Sequence, residues 1–264
     1  MTFAIAFPNI DPVLISFGPV AIRWYSLAYI AGILLGWRLL RRLVQRPPDV
    51  AGLEDVDDFL VWATLGIILG GRLGYVLFYN AGVYLNDPLS VFAVWRGGMS
   101  FHGGLLGVIG ATIWFCRRRG IDLWLFSDRI ACVSPIGLFF GRLANFINGE
   151  LFGRVTDVPW AVVFPRGGPD PRHPSQIYEA LGEGALLFVV LMWLARSEPV
   201  RRRPGFLTGV FLAGYGIVRT GVEYVRQPDA HIGLLSFGTT TGQWLSVPLV
   251  LAGVFMIIRA KSRG

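Results

Sequence analysis

Two apolar stretches of this chain carry polar stripes that a purely structural helix would not need. In one, Arg142, Asn145 and Gly149 are spaced by three and four residues and so share a helix face, with Asn148 and Glu150 at its outer mouth. In the other, Tyr215, Arg219 and Glu223 follow at spacings of four, and Arg226 stands three residues further on. Two arginines on different helices make a cradle for an anion, because the guanidinium fork donates two parallel hydrogen bonds to a phosphate. His102 opens a third apolar stretch and precedes Gly103 and Gly104, which let a substrate approach the backbone. A histidine there is either an interfacial residue or a base; beside a two-arginine cavity the base becomes the stronger reading. Other chemistries lack their residues. There is no His-Glu-x-x-His and no Gly-x-Ser-x-Gly. Cys116 and Cys132 have no metal-ligand spacing and read as small apolar packing residues.

The elements that must position these residues are membrane helices. Of the 264 residues 53% are hydrophobic and 16% charged, and the mean hydropathy is +0.55. Soluble domains hold about 45–50% apolar and about 25% charged residues. The apolar residues also fall in runs too long for ordinary core elements. A soluble enzyme, a disordered chain and a small disulfide scaffold are therefore excluded. Runs of about 20 residues occur at 22–40, 59–79, 98–116, Leu123–Ile147, 177–195, 205–225 and 243–259. The expected fold is all-α and polytopic, a single membrane-embedded domain of seven transmembrane helices over residues 1–264.

Charge sets the orientation. Arg41, Arg42 and Arg46 follow the first run, and Arg117, Arg118 and Arg119 the third. Arg196 and Arg201–Arg203 follow the fifth, and Arg259, Lys261 and Arg263 close the seventh. Alternating spans put all four clusters on one side, so the N-terminus is expected outside and the C-terminus in the cytoplasm. The formal charge of +7 is thus a topology signal rather than a nucleic-acid footprint, which would need a basic face on a soluble domain. Residues 1–19 show no basic n-region and no cleavage site, so no cleaved signal peptide is expected.

On the outer side, segment 80–97 contains the apolar stretch 89–95, expected to lie in the interface as an arm. Segment 150–173 contains 158–164, strand-like by composition and bounded by Asp157, Pro159 and the run from Pro165 to Pro169; it is expected to form a small extracytoplasmic head. Glycines four apart (Gly32/Gly36, Gly66/Gly70/Gly74, Gly103/Gly107, Gly137/Gly141, Gly205/Gly209) read as close helix packing. Arg72, Arg129, Arg142 and Arg219 lie inside the runs with Glu179, Glu183, Glu223 and His102. An arginine at the membrane centre costs about 2.5–3.5 kcal/mol, so such residues face a hydrated cavity or pair with carboxylates. For Arg72 and Arg129, salt bridges that fix helix register are the competing reading. The anions of an outer leaflet are phospholipid headgroups, so the sequence points to a lipid-phosphate site. A transporter or flippase could use the same cavity without chemistry, but no repeat of the two halves is evident. A metal-dependent headgroup phosphotransferase would need clustered intramembrane aspartates, and Asp128 stands alone.

Several runs of residues resemble one family. Phe101–His102–Gly103–Gly104–Leu105 is similar to a motif of the bacterial phosphatidylglycerol–prolipoprotein diacylglyceryl transferases, and the stretch from Gly141 through Arg142, Asn145, Asn148, Glu150 and Gly153 to Arg154 resembles that family's signature. The block from His173 through Ser175 to Glu179, and that from Tyr215 through Arg219, Glu223 and Arg226 to Asp229, match further motifs. The resemblance covers essentially the whole chain and implies an enzyme of the bacterial cytoplasmic (inner) membrane with its active site toward the outer leaflet. Such an enzyme moves the diacylglyceryl group of phosphatidylglycerol to the lipobox cysteine of a prolipoprotein signal peptide, the first step of lipoprotein maturation, with no metal or other cofactor. By this resemblance His102, Arg142 and Arg219 are the catalytic candidates. Tyr25, Asn145, Glu150, Gly153, Arg154, Tyr215 and Glu223 are expected to bind substrate or shape the cavity, and His173 and Ser175 are secondary candidates. Whether His102 removes the thiol proton, or the arginine field makes the thiolate while His102 positions the lipid, stays open at this point.

Overall fold

The structure is a computed structural model that describes residues 5–8, 10–18, 20–79, 82, 84, 87–93, 97–228 and 238–261. Its contacts group into two compact units, residues 41–127 and residues 1–40 with 128–264. Among the described residues, four helical stretches are long and apolar enough to cross a membrane by length and composition: Leu53–Phe78, Leu123–Ile147, Ser175–Leu194 and Thr241–Arg259.

In the larger unit a hairpin of β2 (Val13–Phe17) and β3 (Val20–Arg23) leads into α1 (Trp24–Val44). The first apolar run therefore turns helical only at Trp24, because Val20–Arg23 pairs with β2. Next in this unit come α4 (Leu123–Ile147), α5 (Ser175–Leu194), α6 (Phe206–Glu223) and α7 (Thr241–Arg259). Small residues bring the backbones together. A Cβ on Gly32 would lie 3.3 Å from the Cα of Gly137, and one on Gly209 would lie 2.8 Å from the Gly253 carbonyl. Thr240 and Gln243 start α7 with a reciprocal capping box. Asp128 is fully buried and caps α6 across the sequence, accepting from the backbone N–H of Gly205 (2.9 Å) and Thr208 (2.7 Å).

Segment 150–173 is held by backbone pairing rather than by a long strand. Strand β1 (Ile5–Ala6) runs parallel to β4 (Val162–Val163). The expected strand 158–164 shortens to these two residues because the chain turns at Pro159–Trp160 just before them. Phe7, Phe146, Phe152 and Phe164 make an aromatic cluster with ring centroids 5.3–5.9 Å apart.

In the smaller unit, α2 (Leu53–Tyr79) packs along α3 (Phe101–Arg119) with glycines at the closest approach over three turns. A Cβ on Gly66 would lie 2.6 Å from the Gly107 carbonyl, and one on Gly74 would lie 2.8 Å from the Cα of Gly103. Such backbone contact is the apolar-solvent solution to helix association, where burying leucine gains nothing over lipid. The ends of this pair are tied by charge. Arg41 reaches Asp57 at 2.7 and 2.5 Å, and Arg119 reaches Asp55 at 3.4 Å and also Asp58. Phe59, Phe115 and Phe126 pack beside them. Of the expected arm, Pro88–Phe92 is a 3-10 turn with Leu89 and Phe92 exposed, while 80, 81, 83, 85, 86 and 94–96 lie outside the described residues.

Candidate functional site

The two polar stripes converge. Arg142 on α4, Glu179 and Glu183 on α5, Arg219 and Glu223 on α6, and Arg226 just past α6 form one ion-pair network. Arg142 Nη1 lies 3.1 Å from Glu179 Oε2. Its Nη2 and Nε donate to Glu183 Oε2 at 3.1 and 3.3 Å. Arg219 pairs with Glu179 Oε1 and, at 2.5 Å, with Glu223 Oε1. Arg226 donates to Glu179 Oε1 at 3.1 Å and lies 3.9 Å from Glu223. Glu179 thus holds three arginines. The hydroxyl of Tyr215 lies within electrostatic reach of Arg142 and Glu183.

The network is asymmetric in depth. The Glu179 and Glu183 side chains are fully buried, whereas those of Arg142, Arg219 and Arg226 remain 17%, 14% and 11% exposed. The carboxylates therefore lie behind and the guanidinium groups in front. A guanidinium has five N–H donors, and Arg142 directs three at carboxylates, so N–H groups are left over for an anion. Glu183 Oε1 has no hydrogen-bond partner among the described residues.

Local structure brings both glutamates to the arginines. Between Ser175–Glu179 and Leu187–Leu194, α5 widens to a π-helical stretch, Ala180–Leu186, a distortion enriched at functional sites. Glycines let it seat closely: a Cβ on Gly182 would lie 2.5 Å from Val218 Cγ1, and one on Gly184 would lie 2.6 Å from the Phe139 Cβ. Glu223 is backed by the start of α7, where a Cβ on Gly242 would meet its Oε1 at 2.5 Å.

A second polar group lies at the end of α4. Asn145 and Asn148 donate through Nδ2 to Glu150 Oε1 at 2.9 and 3.2 Å, and Tyr25, whose hydroxyl lies 3.4 Å from that of Tyr29, is within electrostatic reach of Asn145 and Glu150. Glu150 sits in a tight turn between Gly149 (φ 63°) and Leu151, a non-glycine residue at φ 59°. Ser175 Oγ and Gln176 Nε2 fasten this strained turn by donating to the carbonyls of Leu151 (2.9 Å) and Glu150 (2.6 Å).

Gly153 and Arg154 are scaffold to Arg226. Gly153 bridges to Arg226, and Arg154 donates from its backbone to the Val225 carbonyl (2.8 Å) and from Nε to the Arg226 carbonyl (3.0 Å). Only glycine fits at 153, where a Cβ would meet His173 Cβ and the Val225 carbonyl at 2.6 Å. His173 pairs through Nδ1 with the Tyr178 hydroxyl at 3.2 Å, which also accepts from Trp160 Nε1 at 2.6 Å. Partial burial pushes the His173 imidazole pKa down.

The structure thus gathers Arg142, Tyr215, Arg219 and Glu223 into one cluster and Tyr25, Asn145 and Glu150 into another. It places Gly153, Arg154, His173 and Ser175 among the backbone contacts that fasten them. His102 lies in the other compact unit, exposed in the first turn of α3, with its ring edge-on to Phe101 at 5.6 Å. Glu179 and Glu183 are central, yet sequence reasoning counted them only as charges inside a run. Their spacing of four within an apolar stretch was the available signal; the π-helical register was not.

A helical, polytopic membrane protein with an internal arginine–carboxylate site is what these features define. A family model described as "Prolipoprotein diacylglyceryl transferase" matches residues 12–259. The chain is 61% identical over 265 residues to a Paramagnetospirillum magneticum protein named phosphatidylglycerol–prolipoprotein diacylglyceryl transferase, covering 100% of this chain and 98% of that one. It is 59% identical over 263 residues to a Rhodospirillum rubrum protein of the same name, covering 99% and 96%. With an Azospirillum brasilense protein, again so named, the identity is 57% over 262 residues, covering 98% of each. The chain belongs to the prolipoprotein diacylglyceryl transferase family.

Proposed function

We propose that this chain transfers the diacylglyceryl group of phosphatidylglycerol to the lipobox cysteine thiol of a prolipoprotein signal peptide, forming a thioether and releasing glycerol phosphate. Family membership over nearly the whole chain supports the reaction. The observation that carries the site is the row of part-exposed arginines backed by buried carboxylates.

The chemistry follows from charge. A cysteine thiol has a pKa of about 8.5, so little thiolate exists at neutral pH and a proton acceptor is needed. The thiolate sulfur attacks the glyceryl carbon, the carbon–oxygen bond to phosphate breaks, and its electron pair leaves with the phosphate oxygen. The leaving group's charge grows from about −1 toward −2, and donors that bind the second charge better than the first lower the barrier. Arg142 and Arg219 take that role, with Arg226 beside them. Pairing with buried carboxylates fixes the guanidinium planes before substrate arrives, so the reaction need not reorganise them. Three carboxylates against three arginines leave this cluster little surplus positive field. That favours His102 as the acceptor of the thiol proton over an arginine field acting alone. Tyr25, Asn145 and Glu150 form a neighbouring polar group suited to the glycerol hydroxyls, and Tyr215 lines the arginine cluster.

We further read the helices as seven spans in the bacterial cytoplasmic membrane, N-terminus outside, with the site toward the outer leaflet. The arginines that end α1 and α3, and those near 196–203 and 259–263, support this orientation. A mass assay tests the reaction: purified protein in detergent, phosphatidylglycerol and a lipobox peptide with a free cysteine. A gain of one diacylglyceryl group is expected, and none with a Cys-to-Ser peptide. Bound lipid without any adduct would overturn the reading in favour of transport.

A further inference from the structure

Arg72 is a full charge in the interior of the smaller unit, 4% exposed, and no carboxylate pairs with it among the described residues. All its nitrogens are nonetheless engaged by backbone oxygens. Nε donates to the Val91 carbonyl at 2.8 Å. Nη1 donates to Gly97 (2.6 Å) and Gly98 (3.2 Å), and Nη2 to Ser90 (2.7 Å) and Ala93 (3.2 Å). The guanidinium also lies over the Tyr84 ring at 5.2 Å. Five donors meet five carbonyls drawn from two places: the end of the 3-10 turn Pro88–Phe92, and the turn at Gly97 and Gly98, both left-handed at φ 80° and 82°. The internal salt bridge that sequence offered for Arg72 is replaced by a clamp on the chain entering α3.

What the clamp feeds is the first turn of α3. Two residues past Gly98, Ser100 donates its N–H to the carbonyl of Gly71, next to Arg72, at 2.8 Å, and its Oγ caps the Gly103 N–H at 3.2 Å. Gly103 then meets Gly70 so closely that a Cβ would run into the Gly70 carbonyl. His102 lies between these two fixed points, and its imidazole has no hydrogen-bond partner of its own among the described residues. Its height on the helix is therefore set by backbone, and Phe101 stands edge-on to its ring. We propose that Arg72 is a positioning residue for the transfer reaction: it holds the turn before α3 so that His102 is presented at a fixed height and rotation. This inference rests on His102 acting in the reaction, as proposed above.

The test separates positioning from folding and from the parent reading. Arg72→Lys keeps the charge but offers three donors without the planar fork, and Arg72→Ala removes the clamp. In both, kcat is expected to fall roughly 10- to 100-fold while KM for phosphatidylglycerol changes less than about twofold, because misplacing a reacting group is felt in turnover. Low-millimolar guanidinium should restore part of the kcat of Arg72→Ala, and methylammonium should not. Gly97→Ala acts from the other side. It strains the left-handed turn while its methyl enters open space, and it should lower kcat several-fold at unchanged KM. Wild-type kcat in folded Arg72→Ala overturns the proposal. So does wild-type kcat in Gly97→Ala if the Arg72 variants do not fold. His102→Gln decides the parent reading: full turnover there removes it, whereas an inactive His102→Gln beside fully active Arg72 variants removes only the clamp.

Discussion

Buried arginines are neutralised in two different ways in this molecule. In the larger unit Arg142, Arg219 and Arg226 face Glu179, Glu183 and Glu223. In the smaller unit Arg72 faces carbonyl oxygens and the Tyr84 ring, with no carboxylate against it among the described residues. Both arrangements satisfy a charge that a low-dielectric interior would otherwise reject. They differ in what they leave free. Arg142 and Arg219 stay part-exposed with N–H groups to spare, so they can add an anion without abandoning their partners. Arg72 has no donor left and almost no exposed surface, so it can only hold the chain. The same side chain thus reads as ligand binder or clamp according to its partners.

The largest effect should come from the exchangeable set. Arg142→Lys, which replaces a fork with a point charge, should lower kcat by about 10²–10³-fold, the usual loss when a transition-state donor is removed. Near-normal turnover in the folded lysine variant would erase the distinction drawn between the two regions.

Next comes Glu179→Gln. Removing the one carboxylate shared by three arginines should cost about tenfold to a hundredfold in turnover, through loss of their alignment. It should also destabilise the protein, since it leaves buried charge uncompensated. Stability lost with turnover intact would make Glu179 mere scaffold, like the partners of Arg72.

In the smaller unit the sensitive quantity is packing. Gly107→Ala places a methyl against the Gly66 carbonyl and should cost about 1–3 kcal/mol of stability, as overpacking commonly does. Thermal unfolding in detergent measures it. An unchanged midpoint would show that α2 and α3 can move apart at no cost.

The smallest effect concerns His173. Its pKa is lowered by burial, so the unfolded chain takes up a proton more readily than the folded one. That neutral imidazole's stabilising contribution is complete above its ordinary value of about 6.5 and declines as pH falls through the depressed folded value. His173→Gln should flatten this acid-side decline slightly and leave neutral stability unchanged. A larger loss at neutral pH would mean that the contact with Tyr178 matters more than the titration.

Much of this was legible in the residues. Spacings of three and four predicted that Arg142 and Asn145 share a face, and that Tyr215, Arg219 and Glu223 do, because side-chain direction in a helix is fixed by period. Glycines four apart at 66, 70 and 74 and at 103 and 107 announced close helix packing, which the structure realises between α2 and α3. What could not be read was anything set by partners far along the chain. The π-helical stretch 180–186 that turns Glu183 toward Arg142, the bridge from Gly153 to Arg226, and the carbonyls that converge on Arg72 all depend on tertiary approach. The strand expected at 158–164 was cut short for the opposite reason: its local propensity was real, but a turn at Pro159–Trp160 left only Val162–Val163 paired.

The most direct measurement follows the phosphorus. Phosphatidylglycerol carrying a labelled bridging oxygen between glyceryl carbon and phosphorus, turned over with a lipobox peptide, can be read by phosphorus NMR and product mass together. The account predicts that a phosphate monoester appears one-for-one with the peptide thioether, that the label stays on this glycerol phosphate, and that both products vanish in parallel in Arg142→Lys. Label found on the lipid product, or thioether formed without the monoester, would contradict departure of the phosphate into the arginine cluster.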